Sequence, residues 1–265
     1  MNLGIRTVAA DRPADPVLAS WQEQVRSAVA KGTALVIEGG RSKSCYGRPS
    51  AGEPLATAAY RGIVDYEPTE LVITARGGTP LAEIDAALAE RGQMLAFEPP
   101  RFAGSPTIGG VVAAGLSGPR RMAVGAVRDF VLGARLLDGK GDLLNFGGQV
   151  MKNVAGYDVS RLLAGSLGCL GVLVEVSLKV LPKPLEEATL HFELSEAEAF
   201  ERFDRWAGQA LPVSASAWSE GALRLRLSGA GPAVAAAGRT LGGEALEEGV
   251  ATAFWAGLRD QAAPF

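Results

Sequence analysis

Ser105-Pro106-Thr107-Ile108-Gly109-Gly110-Val111-Val112-Ala113-Ala114-Gly115-Leu116-Ser117-Gly118 is built almost entirely of small residues, and its reading decides the fold. Gly109, Gly110 and Gly115 leave the main chain bare, so a planar or phosphate-bearing ligand can lie within contact distance of it. A tightly packed helix crossing needs the same small residues, and the stretch alone fits both. Upstream, the short apolar run Ala34–Ile37 reads as a strand and empties into Glu38-Gly39-Gly40-Arg41-Ser42-Lys43-Ser44. Consecutive main-chain N–H groups in such a loop can form an anion nest, with Ser42 and Ser44 adding hydroxyls; an ordinary surface turn is the alternative. Downstream, Gly165-Ser166-Leu167-Gly168-Cys169-Leu170-Gly171-Val172 spaces three glycines evenly before a strand, as either a ligand-facing turn or a structural bulge. Three such segments beside predicted strands, all before Pro182, point together to one large extended cofactor.

Composition narrows the function classes. The chain has 265 residues, with 26 Lys and Arg against 29 Asp and Glu, giving 26 − 29 = −3, so a nucleic-acid surface is not expected. A hydrophobic content of 48% supports a packed core. No run approaches the ~20 apolar residues of a membrane span, and the N-terminus lacks the order of a secretory signal. Cys45 and Cys169 form no CxxC pair and His191 is the single histidine, so no metal site is expected and a reducing cytosol fits. Of the 34 glycines, 25 precede Pro182 and nine follow it. GxGxxG, GxxxxGK[ST] and GxSxG are all missing, which counts against a Rossmann nicotinamide enzyme, a P-loop and an α/β-hydrolase.

The remaining elements follow from pattern. Asp15-Pro16 predicts a capped helix through Lys31, stopped by Gly32, with Val17, Trp21, Val25, Ala28 and Val29 inward. Leu71–Thr74 reads as a strand, and Thr79-Pro80 opens a helix striped by Leu81, Ile84, Ala87 and Leu88. Phe130–Leu137 and Asp142–Phe146 read as a hairpin through Asp138-Gly139-Lys140-Gly141. Asp158 caps a short helix ending at Gly165. Val172–Leu181 alternates with period two and reads as a strand with one buried face. Pro182-Lys183-Pro184 marks a boundary. Beyond it come a strand (Ala188–Leu194), a helix (Glu196–Gly208), two strands (Val213–Trp218, Ala222–Leu227), a helix (Pro232–Leu241), and a last helical stretch near Gly249–Asp260 with no strand to return it. Cys169 reads as a small core residue, His191 as packed or surface, and Cys45 as structural or, beside Lys43 and Arg48, reactive. Arg101, Arg120 and Arg121 read as solvated charges or as anion binders, and Lys152, Asn153 and Tyr157 as candidates to face a planar ring.

The three glycine segments, in this order and at these separations, resemble the FAD-binding domain of the vanillyl-alcohol oxidase/PCMH flavoprotein superfamily. The carriers are Glu38–Lys43, Thr107-Ile108-Gly109-Gly110 to Ser117-Gly118, Arg128-Asp129-Phe130-Val131-Leu132-Gly133, and Gly156-Tyr157-Asp158 to Gly165–Gly171. Pro119-Arg120-Arg121, the run Met151–Asp158 and Leu167 are similar, more closely, to the FAD-binding E subunits of bacterial glycolate oxidases. The resemblance implies an α+β fold: a PCMH-type FAD-binding domain of two α/β subdomains over 1–185, then a shortened ferredoxin-like cap or substrate domain over 186–265. It implies an FAD-dependent oxidoreductase acting in glycolate or D-lactate oxidation to the 2-oxo acid, with a catalytic flavoprotein and an iron–sulfur subunit as partners. A cytoplasmic protein, membrane-associated if at all through those partners, is expected. Gly39, Gly40, Arg41, Ser42 and Lys43 are implied at the pyrophosphate. Thr107, Ile108, Gly109, Gly110, Ser117 and Gly118 would line the ribityl-flavin side, and Gly171 and Val172 the flavin or adenine portion. The first loop has no histidine, so FAD is expected to be non-covalent, and no metal is expected. A poor acid/base inventory implies low activity in isolation, and the shortened cap leaves a second expectation open, a non-catalytic assembly subunit on the same fold.

Overall fold

The computed structural model describes residues 6–7, 15–49, 51–102, 104–148 and 157–262. In chain order, the first elements are β1 (Arg6–Thr7), α1 (Pro16–Lys31), β2 (Leu35–Glu38), β3 (Glu53–Ala56), β4 (Ile63–Glu67), β5 (Val72–Arg76), α2 (Leu81–Ala89) and β6 (Gln93–Met94). Next come α3 (Ile108–Ala114), α4 (Arg121–Val124), α5 (Val127–Phe130), β7 (Val131–Leu137), β8 (Leu143–Gly147), α6 (Val159–Leu162), β9 (Val172–Lys179) and β10 (Leu181–Pro182). The last are β11 (Glu186–Glu193), α7 (Glu196–Ala207), β12 (Val213–Ser219), β13 (Ala222–Gly229), α8 (Gly231–Leu241), β14 (Glu244–Ala245) and α9 (Glu248–Arg259). Two compact units result, one drawn from 1–95, 99–116 and 126–181, the other from 96–98, 117–125 and 182–265.

In the first unit, α1 forms where the caps dictate. The Asp15 carboxylate accepts the Val17 N–H at 3.0 Å, Pro16 stands at the first turn, and Gly32 closes the helix at φ +67°. Its buried stripe is Leu18, Trp21, Val25 and Ala28, whereas Val29 is exposed. That stripe packs on Leu55, Tyr60, Leu137, Val172 and Val174. Beside α1, β2 and β3 pair in parallel. The larger sheet runs β1-β8-β7-β9-β5-β4, and its neighbouring strands are antiparallel. These are the two α/β subdomains that the family resemblance implies. The β7–β8 hairpin turns on Asp138, whose side chain accepts the N–H groups of Lys140 (2.8 Å) and Asp142 (2.9 Å).

β9 departs from the expected single buried face. Leu173, Glu175 and Ser177 are buried as well as Val172, Val174, Val176 and Leu178. The strand lies mid-sheet, and flanking strands supply polar partners: Arg135 lies 3.4 Å from Glu175, and the Thr74 and Ser177 hydroxyls are 2.8 Å apart. Burial on both faces is therefore compatible with a polar row.

The second unit folds as a β-α-β-β-α-β sandwich with strand order β12-β13-β11-β14, all neighbours antiparallel. The return strand that the sequence pattern leaves out is β14, only two residues long, paired at Leu190↔Ala245 and His191↔Glu244. A strand this short carries no period to read. α7 and α8 cover one sheet face through Ala199, Trp206, Val234, Ala237 and Leu241, packed on Leu190, Phe192, Leu223, Leu225 and Leu227.

Candidate functional site

In the first unit the three glycine segments meet. The loop after β2 is anchored where the Glu38 carbonyl accepts the Thr57 N–H (2.8 Å) and hydroxyl (3.1 Å). A Cβ on Gly39 would stand 2.4 Å from Thr107 Oγ1, and one on Gly40 only 1.6 Å from the Ser105 carbonyl oxygen. The first loop thus lies main chain to main chain against the start of the second segment. Arg41 adopts φ +54°, and its guanidinium turns back to pair with Glu38. Lys43 Nζ lies 3.4 Å from the Ser42 hydroxyl and 5.5 Å from the centre of the Phe102 ring.

The second segment is α3, a closely packed helix that carries an open glycine. Ile108 N–H donates to Thr79 O at 2.9 Å and Gly109 N–H to Gly77 O at 2.8 Å. A Cβ on Gly109 would meet that Gly77 oxygen at 2.8 Å. Gly110 differs. It is exposed, its φ is not positive, and a Cβ there would meet nothing but Thr107 Oγ1, at 3.3 Å. Thr107 occupies the N-cap position without capping, and its buried Oγ1 has no hydrogen-bond partner among the described residues. A buried hydroxyl without a partner is costly unless a ligand or water supplies one.

The third segment closes on the other two. Gly165 N–H donates to Val112 O (3.0 Å) and Leu167 N–H to Ala113 O (2.9 Å). Cβ atoms on Gly115 and Gly168 would approach Gly165 Cα at 2.8 Å and Ile37 Cδ1 at 3.3 Å. A Cβ on Gly171, at φ +138°, would stand 2.4 Å from the Leu137 oxygen, so its freedom from a side chain serves packing. Gly171 and Val172 line a mixed cavity of about 240 Å³ with Val25, Ile37 and Asp138.

Ser117 and Gly118, the end of the second motif, belong to the second unit. Gly118 N–H donates to Phe97 O at 2.9 Å, and a Cβ on Gly118 would stand 2.5 Å from Glu98 O. The other basic candidates are engaged or peripheral. Arg101 pairs with Asp85 at 2.6 Å, Arg120 is buried in an ion network, and Arg121 is exposed. Lys152 and Asn153 lie outside the described residues, and Tyr157 is exposed. Cys169 corrects the packed reading: it and Cys45 are both free and exposed. Its apolar neighbours Leu167 and Leu170 are themselves surface residues, so the local composition misleads. His191 sits in β11 with its Nδ1 buried and without a partner among the described residues. Sequence reasoning passed over Gly77 and Thr79, whose carbonyls hold α3. The Gly77-Gly78 pair after a strand was the available signal.

Among the described residues no His, Cys, Asp and Glu side chains group to hold a metal ion, and no helix is long and apolar enough to cross a membrane.

Residues 18–147 match the family described as the FAD binding domain. The glycolate oxidase subunit GlcE of Escherichia coli (strain K12) is 53% identical over 243 residues, covering 92% of this chain and 68% of that protein. A D-2-hydroxyglutarate dehydrogenase of Xanthomonas citri pv. viticola is 34% identical over 167 residues, 62% of this chain and 35% of its own length. Among solved structures, an alkyldihydroxyacetonephosphate synthase superposes with a TM-score of 0.68 at 14% identity, covering 92% of this chain and 55% of that one. The chain thus spans about two thirds of the first relative and roughly a third to a half of the others. With the glycine segments gathered and residues 18–147 matching the FAD binding domain, the chain belongs to the family of the glycolate oxidase subunit GlcE, among FAD-linked hydroxy-acid oxidoreductases.

Proposed function

We propose that this chain is the FAD-binding subunit of a complex that oxidises glycolate, or D-lactate, to the 2-oxo acid. The observation that carries it is the meeting of the first two glycine segments at Thr107, whose buried hydroxyl has no partner among the described residues, beside a glycine that the protein's own packing does not require. That arrangement fits an extended dinucleotide. The main chain of Gly39, Gly40, Arg41, Ser42 and Lys43 holds the pyrophosphate, with the Lys43 cation nearby. Thr107, Ile108, Gly109 and Gly110 line the ribityl-flavin side. Gly171 and Val172 offer main-chain groups to the flavin or adenine portion. When bound, FAD supplies the two-electron redox chemistry. The chain's share is to bind, orient and exclude water. Arg41 is neutralised by Glu38 and so contributes its N–H more than its charge.

The partners are a catalytic flavoprotein subunit and an iron–sulfur subunit, and the complex works in the cytoplasm, reaching the membrane through those partners. The cofactor is held non-covalently. One observation favours the second reading, a non-catalytic assembly subunit. Gly40, Gly109, Gly118 and Gly171 all have close main-chain neighbours, so packing alone accounts for these four. Purification with a visible spectrum, followed by FAD titration and glycolate addition with and without co-expressed partners, separates the two. A yellow chain whose colour is lost on acid precipitation and bleached by glycolate in the complex supports the first reading. A colourless chain that takes up no FAD supports the second.

A further inference from the structure

The loop that follows β2 carries three cations, Arg41, Lys43 and Arg48, and one acid, Glu38. A surplus of cations suits a loop that receives a diphosphate. The acid runs against it, and the fold shows where its charge is directed. Arg41 donates from Nε to Glu38 Oε2 at 3.1 Å, and its Nη2 bonds the same oxygen. The Glu38 carboxylate has no other hydrogen-bond partner among the described residues. The cation next to the glycine pair Gly39-Gly40 is thereby held by a carboxylate three residues back.

Neither side chain is needed to build the loop. Its anchor is the Glu38 main-chain carbonyl, which accepts from the Thr57 N–H and hydroxyl, and that anchor does not involve the carboxylate. The Arg41 side chain is 69% exposed and that of Glu38 25%. An ion pair so open to water adds little to stability. Arg41 also has φ +54°, a left-handed backbone that glycine adopts without strain and arginine does not. Glycine stands at both preceding positions, yet here the chain keeps a side chain. Strain at a residue whose side chain the fold does not use points to a function for that side chain.

We propose that Glu38 sets the affinity of the chain for FAD: by holding the Arg41 guanidinium it withholds that cation from the cofactor's diphosphate. The assignment rests on the reading above that this loop holds the pyrophosphate. The pair acts against binding in two ways. It occupies the fork with which Arg41 would grip a phosphate, and it keeps a carboxylate beside the place where negative charge must enter. The sign of the effect is therefore opposite to that of a residue that merely supports the loop. Removing the Glu38 charge tightens FAD binding.

The test uses the full chain carrying Glu38→Gln, Arg41→Gln or both. FAD is titrated into each apo protein at low and at high salt, and thermal unfolding is measured alongside. Glutamine keeps the side-chain length and the main-chain anchor at position 38 and drops the charge. Glu38→Gln is expected to bind FAD about ten-fold more tightly, the worth of one charge-assisted hydrogen bond, with an unfolding temperature close to the wild type. Arg41→Gln leaves the carboxylate uncompensated and is expected to bind several-fold more weakly. The double variant is expected near the wild type. High salt should shrink all three differences, because exposed charges are screened. Wild-type or weaker binding in Glu38→Gln overturns the proposal, weakening being what a structural part of the loop produces. A gain that persists undiminished in the double variant also overturns it, since Arg41 then has no share in it. If Glu38→Gln does not fold, Arg41→Gln decides. Weaker binding at low salt that returns to wild-type affinity at high salt supports the proposal, and unchanged binding refutes it. A wild-type chain that takes up no FAD defeats the cofactor reading itself, whereas a wild type that binds FAD as tightly as Glu38→Gln defeats only the role of Glu38.

Discussion

Gly110→Ala and Gly109→Ala, adjacent in one helix, are expected to move stability in opposite directions, and only one of them tests the ligand. A glycine inside a helix costs about 1 kcal/mol relative to alanine, so Gly110 is unfavourable unless something requires it. Its φ is not positive, and a Cβ there meets only the Thr107 hydroxyl, at 3.3 Å, which lacks a partner among the described residues and can give by the few tenths of an ångström needed. Gly110→Ala should therefore raise the stability of the apo chain by about 0.5–1 kcal/mol, roughly 1–4 °C in unfolding temperature for a chain of this size. At Gly109 the added carbon would lie 2.8 Å from the Gly77 oxygen and 3.1 Å from its Cα, both main chain. Overpacking of about 2 kcal/mol then exceeds the helix gain, and the unfolding temperature falls. The assay is a thermal melt of each apo protein together with an FAD titration. Gly110→Ala should melt higher yet bind FAD more weakly, because the added methyl stands where the cofactor approaches. Wild-type affinity in that more stable protein would refute the assignment of the open space at Gly110 to the cofactor.

Gly40→Ala places a carbon 1.6 Å from the Ser105 oxygen. The loops must part by more than 1 Å, and FAD affinity should drop by about 100-fold, measured by titration. At Glu187 burial, the largest single influence, pushes the carboxyl pKa up. Hydrogen bonds from Arg120 and Ser228 and the charges of Arg120 and Arg226 outweigh it and hold the group below its ordinary value near 4.5. The stability this confers is present above that ordinary value and is lost as pH falls through the lowered one. Glu187→Gln should accordingly flatten the acid limb of the unfolding-temperature profile, and an unchanged limb would rule the pairing out. Cys45 and Cys169 are both exposed, so two thiols per chain should react with a chromogenic disulfide in native buffer; one equivalent would restore the packed reading of Cys169.

Local physics was legible residue by residue. Asp15, Pro16 and Gly32 delimit α1 because capping and a left-handed stop act within a few residues. The β7–β8 hairpin was legible from Asp138–Gly141 for the same reason, and Ser195 and Glu198 form a capping box that opens α7. The three glycine segments were visible as unusual, because a bare main chain is written directly in residue type. Their family resemblance carried the cofactor assignment further than any single segment could.

What the sequence by itself determined was therefore the short-range part: where helices begin and end, which turns close, and where the main chain is left bare. Only the tertiary structure decided what each bare place faces, since that depends on partners distant in the chain. Gly40 meets Ser105, Gly109 meets Gly77 and Gly171 meets Leu137, whereas Gly110 meets only the Thr107 hydroxyl, which has no partner among the described residues. The same holds for β9, buried on its polar row by Thr74 and Arg135, and for β14, whose two residues become a strand only because β11 lies beside them. Arg120 read as a solvated charge or an anion binder; it is buried, and the carboxylates it holds are those of Glu98 and Glu187, which only folding brings to it.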